Sequence, residues 1–90
     1  MSISIGPFEF DYVRYDAEAD VLYLSMGEPR EGYGKETPEG HFLRYDENDE
    51  FYGVTLIDVQ YLLDANDGRI KITLPVEESV DFPTGELQFA

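Results

Sequence analysis

The apolar residues of this 90-residue chain are grouped in runs that are only long enough for β-strands. Residues 8–15 (FEFDYVRY) alternate in part between two faces, and residues 20–26 (DVLYLSM) are apolar on both faces. Three further candidates are residues 41–45 (HFLRY), 51–59 (FYGVTLIDV) and 69–76 (RIKITLPV). Aromatic and β-branched residues at a period of two are typical of strands. The pattern predicts a small, mainly-β domain with an antiparallel sheet of about five strands.

Two segments depart from the strand pattern. Val59, Leu62 and Leu63 lie at helical spacing, and the Asp-Gly pair at 67–68 is a typical helix end. We therefore expect one short helix between the fourth and fifth strands, which places the fold at the margin of the α+β class. Residues 27–40 (GEPREGYGKETPEG) contain four glycines and two prolines, so this segment is predicted to be the longest loop.

The charge of the chain limits its partners. Six basic residues against twenty acidic ones give a net charge of −14. Because the basic residues are scattered among acids, we expect repulsion from phosphate backbones and no nucleic-acid binding. The acidic surface serves either solubility in a saline cytoplasm or the docking of a small basic protein partner, and composition leaves both explanations open.

The apolar runs and the cysteine content indicate a compartment. Every apolar run is far shorter than the ~20 residues of a membrane-spanning helix, so no membrane partner is expected. The chain contains no cysteine, which excludes disulfides and thiolate metal sites and agrees with a cytoplasmic location.

A short motif occurs twice in the chain. Arg-Tyr-Asp at residues 14–16 recurs at residues 44–46, and an acidic residue follows four positions after each aspartate. The repeat suggests two hairpins of one design in one antiparallel sheet. Carboxylates at strand ends commonly accept hydrogen bonds from turn N–H groups. We therefore predict that four acidic residues are structural turn residues: Asp16, Asp20, Asp46 and Glu50.

The first acidic turn also has a cation-binding interpretation. Asp16, Glu18 and Asp20 alternate as the first ligands of a calcium loop do. Such a loop needs glycine and glutamate at the positions where Val21 and Gly27 stand, so the match fails at both diagnostic positions. No metal-ligating residue is predicted.

Catalytic residues are equally difficult to identify in the sequence. His41 is the only histidine, and the serines lie in no nucleophile motif, so we expect His41 to begin a strand and face water. We predict no catalytic or cofactor-binding residue and no cofactor. The alternative is a small hydrolase that uses carboxylates from both acidic turns, or a cation-binding protein.

Two features favour protein contacts. Tyr33 lies between two glycines of the long loop, either as an exposed anchor for a partner or folded back on the sheet. We predict it as a partner contact, together with three acidic residues of the same segment: Glu28, Glu31 and Glu36. In addition, the strands are apolar on two faces although one helix can cover only one, so we expect a homodimer or a constitutive heteromer.

The segments YDAEADVLYL and RYDENDEFYGVTLIDV resemble domain-of-unknown-function family 2283. The family pattern falls on Tyr15, Asp16, Asp20, Leu22, Tyr23, Asp46 and Gly53. The resemblance implies a single β-rich domain over residues 1–90, with a family-like core at 13–75, an N-terminal extension at 1–12 and a C-terminal tail at 76–90. It also implies a protein without an assigned enzymatic activity, which accompanies small toxin-like proteins in the manner of antitoxins. The expected function is a non-enzymatic interaction module that binds a basic protein.

Overall fold

The computed structural model describes residues 2–75 and the backbone of residues 84–88. Within these residues the chain forms nine strands and one helix. In chain order the elements are β1 (Ile3–Ile5), β2 (Phe8–Phe10), β3 (Tyr12–Asp16), β4 (Val21–Ser25), β5 (Gly32–Glu36), β6 (Phe42–Asp46), β7 (Phe51–Ile57), α1 (Val59–Ala65), β8 (Arg69–Thr73) and β9 (Thr84–Gln88). Residues 76–83 and 89–90 of the predicted C-terminal tail lie outside the described part.

The central element is a five-stranded antiparallel sheet in the order β3-β4-β7-β6-β5. Two antiparallel ribbons, β1–β2 and β8–β9, accompany it. The predicted mainly-β class and the five-stranded antiparallel sheet are therefore confirmed. The N-terminal extension, to which the sequence assigned no role, forms the β1–β2 ribbon.

The membership of the sheet differs from the prediction at one strand. Residues 32–36 form β5, although the segment was expected to be a loop, and they pair with β6 at the sheet edge. All five residues of β5 are exposed and two are glycines, so the segment lacks the apolar alternation that marks a strand. The backbone approaches β6 so closely at Gly32 that a Cβ atom there would lie 1.8 Å from the carbonyl oxygen of Tyr45.

The helix follows the last strand of the sheet rather than lying between its fourth and fifth strands. It connects β7 to β8, and β8 pairs with β9 in a separate ribbon. The predicted strand over residues 8–15 is divided at Asp11, which lies between β2 and β3 and whose carboxylate accepts a hydrogen bond from the N–H of Gly27 at 2.7 Å.

The two faces of the sheet have different surroundings. The first, here called the covered face, contributes Leu22, Leu24, Leu43, Val54 and Leu56 to the hydrophobic core. The ribbons and the helix pack on it through six buried residues: Ile5, Phe10, Val59, Ile70, Ile72 and Leu74. Among residues 2–75 the opposite side of the sheet, here called the open face, contributes none of the residues of this core cluster, although Val21 on that side is also buried.

His41 is buried, so the expectation that it faces water is wrong. Its side chain is 1% exposed, and its Nδ1 atom accepts a hydrogen bond from the N–H of Ile57 at 3.1 Å. Backbone hydrogen bonds from Thr37 to His41 and from Gly40 to Thr37 form a tight turn just before β6, and we attribute the inward direction of the imidazole to this turn. Burial lowers the pKa of His41, and the carboxylates of Glu39 and Asp58 oppose that effect only in part.

The burial of His41 predicts a pH-dependent stability. In the folded chain His41 stays neutral at pH values where its imidazole would be protonated in the unfolded chain. The free energy of unfolding therefore falls as the pH drops below the ordinary histidine pKa of about 6.5. We expect urea denaturation to show a loss of stability between about pH 7.5 and 5.5, above the range in which carboxylates titrate. In His41→Asn, which keeps an acceptor near the Nδ1 position, this pH dependence should be smaller. Equal pH dependence in the two proteins would contradict the assignment.

Candidate interaction face

The open face is formed by the side chains that alternate with the core residues along each strand. From β3 to β5 it comprises Tyr12, Arg14, Asp16, Val21, Tyr23, Ser25, Thr55, Ile57, Phe42, Arg44, Asp46 and Glu36. These strands enclose a groove of about 460 Å³, whose lining also includes Tyr52, Val54 and the loop residues Pro29 and Arg30. Tyr23, Phe42 and Ile57 are half-buried. The face therefore presents large apolar side chains outside the core.

One end of the open face is held by a loop. The guanidinium of Arg30 lies 4.5 Å above the ring centre of Tyr52, and the Tyr52 hydroxyl donates a 2.7 Å hydrogen bond to the carbonyl oxygen of Arg30. The Nη1 atom of Arg30 also lies 3.6 Å from a carboxylate oxygen of Asp46. These contacts hold the loop of residues 26–31 in place over one end of the groove, and the centre of the groove stays accessible.

The other two arginines of the face have a different environment. Among residues 2–75 the pair of Arg30 and Asp46 is the one ion pair, so Arg14 and Arg44 have no carboxylate partner there. The guanidinium of Arg14 lies 5.4 Å from the ring centre of Tyr23, an arrangement that leaves its charge unneutralised. Three of the six basic residues of a chain with charge −14 thus line one groove.

The concentration of arginines on this face contrasts with the expectation that the basic residues are scattered. The repeated Arg-Tyr-Asp motif contains the signal. In each hairpin the arginine precedes the turn aspartate by two residues, and residues two apart point to one side of a strand. The strand register places both motifs in the same orientation in one sheet, so Arg14 and Arg44 share a face.

The turn aspartates of the two hairpins are bound to backbone N–H groups. Asp16 Oδ1 accepts hydrogen bonds from Glu18 at 3.1 Å and Ala19 at 3.2 Å. Asp46 Oδ1 likewise accepts from Asn48 at 2.9 Å and Glu50 at 3.1 Å. Glu50 contributes to this turn through its backbone, because its carbonyl oxygen accepts a hydrogen bond from the N–H of Asp46 at 2.9 Å.

Asp20 acts beyond its own turn. Its Oδ1 accepts the N–H of Gln60 at 2.8 Å, its Oδ2 accepts the N–H of Tyr61 at 3.4 Å, and its carbonyl oxygen accepts the N–H of Val59 at 3.2 Å. The first three N–H groups of α1 are thereby paired with a residue about forty positions earlier in the chain. The usual capping position, Asp58, has a left-handed backbone and makes no side-chain hydrogen bond to the helix. Asp20 therefore caps α1 from a distance.

The hydrogen bonds to Asp20 also stabilise its charge. The N–H of Gln60 makes the largest contribution to the lowered pKa of this carboxyl, and the hydroxyl of Tyr15, which donates to it at 2.7 Å, follows. The same contact raises the pKa of Tyr15. The carboxylate is thus committed to the helix start and the first hairpin.

The two acidic turns lie at opposite ends of the sheet. Val21 at the start of β4 is opposite Ile57 at the end of β7, whereas the second turn leads into Phe51 at the other end of β7. Six residues of extended strand separate these ends by about 20 Å. The carboxylates of the two turns are therefore not brought together into one site. Among residues 2–75 no group of three His, Asp or Glu side chains is placed to hold a metal ion.

The predicted partner contacts are divided between different surfaces. Tyr33 lies on β5, stacks on Tyr45 with ring centres 5.4 Å apart, and donates a 2.9 Å hydrogen bond to Asp49. It remains 42% exposed but is held against the sheet. Glu28 and Glu31 are exposed in the loop before β5, and Glu36 lies at the end of β5 on the open face.

The sheet that carries this face coincides with a known sequence family. Residues 12–60 match the family described as protein of unknown function DUF2283. The chain belongs to this family. The matched segment contains all five strands of the sheet, both turns and the start of α1. No curated protein and no solved structure matched the chain. The helix in the described part of the chain is not long and apolar enough to cross a membrane.

The contacts of Asp46 predict a large effect of its removal. Asp46 is only 8% exposed. Asp46→Ala leaves two turn N–H groups without their acceptor and Arg30 without its carboxylate. We expect a loss of about 2 kcal/mol in the free energy of unfolding, measured by urea denaturation. Glu47→Ala, at the exposed neighbouring position, should change the stability by less than about 0.5 kcal/mol. Similar losses in both variants would contradict this role.

The long-range cap predicts a local effect on the helix. In Asp20→Ala the amides of Gln60 and Tyr61 lose their acceptor, so their hydrogen exchange should become faster relative to β7 amides. Asp16→Ala serves as the control, because its contacts are confined to its own turn. Unchanged exchange at Gln60 and Tyr61 in Asp20→Ala would show that the helix start does not depend on this carboxylate.

Proposed function

We propose that the protein is a non-enzymatic protein-interaction module and that the open face of its sheet is the binding surface. The observation that carries the proposal is the one-sided core. The helix and the ribbons pack on the covered face, whereas the open face presents aromatic and aliphatic side chains around a groove. Contiguous apolar surface of this kind is typical of protein-binding sites.

The composition of the face supports a protein ligand. Tyrosine, phenylalanine and arginine are enriched in the central parts of protein interfaces, and the groove contains all three types. Burial of its apolar surface provides ~25 cal/mol for each Å² removed from water. Tyr23 and Phe42 flank Thr55 at the middle of the sheet, so they would form the centre of such an interface.

The charges of the face bear on the kind of partner. Arg14 and Arg44 favour a partner that brings carboxylates to this face. The small basic protein partner suggested by the acidic composition, and the antitoxin-like role implied by the family resemblance, stay predictions; such a partner would contact the acidic surfaces outside the groove. A cytoplasmic location likewise stays a prediction. The alternative of a hydrolase requires carboxylates from both acidic turns in one site. The two turns lie at opposite ends of the sheet, so this arrangement does not support it.

Photocrosslinking in the source cells tests the proposal. A photoreactive benzoylphenylalanine at position 55 would project from the centre of the open face, and the same group at position 61 would project from α1, where Tyr61 is 70% exposed. We expect protein adducts at position 55 in clear excess over position 61. Equal adducts at both positions, or none at position 55 in a folded variant, would contradict the proposal.

A further inference from the structure

We propose that the partner of the open face is a second copy of this chain, packed face to face around a two-fold axis that runs along β7. The inference rests on the proposed function of the open face and names its occupant. It is carried by the order of charges across the sheet.

One row of side chains crosses all five strands of the open face. The register pairs Arg14 with Tyr23, Tyr23 with Thr55, Thr55 with Phe42 and Phe42 with Glu36. The row therefore begins with a positive charge on edge strand β3 and ends with a negative charge on edge strand β5. Two aromatic residues lie between them, on either side of a small residue on the central strand.

This row is complementary to its own copy. A two-fold axis along the central strand exchanges the two edges of the sheet, so Arg14 of one chain lies opposite Glu36 of the other, and the reverse pair forms at the opposite edge. Tyr23 lies opposite Phe42 of the other chain, and Thr55 meets its own equivalent on the axis. Both charges find opposite charges and both aromatic residues find apolar partners.

The neighbouring row is largely covered by side chains of its own chain. It runs through Tyr12, Ser25, Gly53, Arg44 and Gly34. The same axis would place Tyr12 opposite Gly34 of the second chain, but the guanidinium of Arg44 and the ring of Phe42 already lie over Gly34 in each chain. Ser25, which is 4% exposed, and Gly53 are also buried within each chain, so the contact between chains rests on the first row.

The geometry agrees with ordinary sheet packing. Two stacked sheets lie about 10 Å apart with their strands at about 30°. At the sheet edges, two strand spacings from the axis, this angle displaces facing residues by about 5 Å, an offset that the long side chains of Arg14 and Glu36 can bridge. The edge pairs lie at the rim of the interface, where opposite charges mainly determine register and specificity.

Other occupants fit the charge order less well. A nucleic acid or a uniformly acidic protein would be attracted to Arg14 and Arg44 but repelled by Glu36 at the other end of the row. A uniformly basic protein would meet the reverse conflict. A second copy satisfies both ends at once because it presents the same row in the opposite direction.

Sedimentation velocity of the full chain over a concentration series tests the inference by charge exchange. We expect the wild-type chain to form a dimer, and Arg14→Glu or Glu36→Arg alone to weaken the dimer at least about tenfold, since each places like charges together at both edges. The double variant restores opposite charges and should return the dissociation constant to within about threefold of wild type. Lys35→Glu is the matched control, because it makes the same charge change on the other side of β5 and should leave the dimer intact.

Each contrary result overturns the inference. The inference is overturned if the wild-type chain sediments as a monomer throughout the series. It is also overturned if the single variants leave the dimer unchanged, or if the double variant fails to restore it. If the chain is monomeric while position 55 crosslinks to another protein, the inference fails and the proposed function stands. If the chain is monomeric and position 55 gives no adducts, both fail.

Discussion

The burial of one face of a five-stranded sheet is the constraint on which the rest of this structure depends. Leu24, Val54 and Leu56 on the central strands are at most 2% exposed, and the helix and ribbons are arranged to cover them. A chain of 90 residues provides enough apolar side chains for one thin core. Within the described part of the chain the second face of the sheet lies outside that core, and it is the surface that we propose for binding.

The carboxylates of the acidic turns make hydrogen bonds that organise the architecture. Asp16 and Asp46 satisfy backbone N–H groups of their own hairpins, and Asp20 connects the first hairpin to the start of the helix. The sheet therefore holds the helix on its covered face by a hydrogen-bonded link as well as by apolar packing. Because these carboxylates are already committed to backbone donors, the density of acids in the sequence overstates the number available for catalysis.

Local patterns in the sequence predicted most of the strands, the helix and the family. They failed for features that depend on contacts between distant parts of the chain. The period of two identified the segments of β3, β4, β6, β7 and β8. It missed β5, whose exposed, glycine-rich residues become a strand only through pairing with β6. The burial of His41 depends on the turn at residues 37–40 and on an N–H group of β7. The row from Arg14 to Glu36 requires the register of five strands, and no local pattern contains that register.

The central claim is that the core covers one face of the sheet and a second copy of the chain covers the other. An isotope-filtered NOE experiment on a mixture of labelled and unlabelled chains tests it most directly. This measurement detects only contacts between different molecules. The account predicts intermolecular NOEs between the ring protons of Tyr23 and Phe42, together with contacts of Thr55 to its own equivalent. Intermolecular NOEs confined to residues outside the open face, or none in a sample at millimolar concentration, would contradict it.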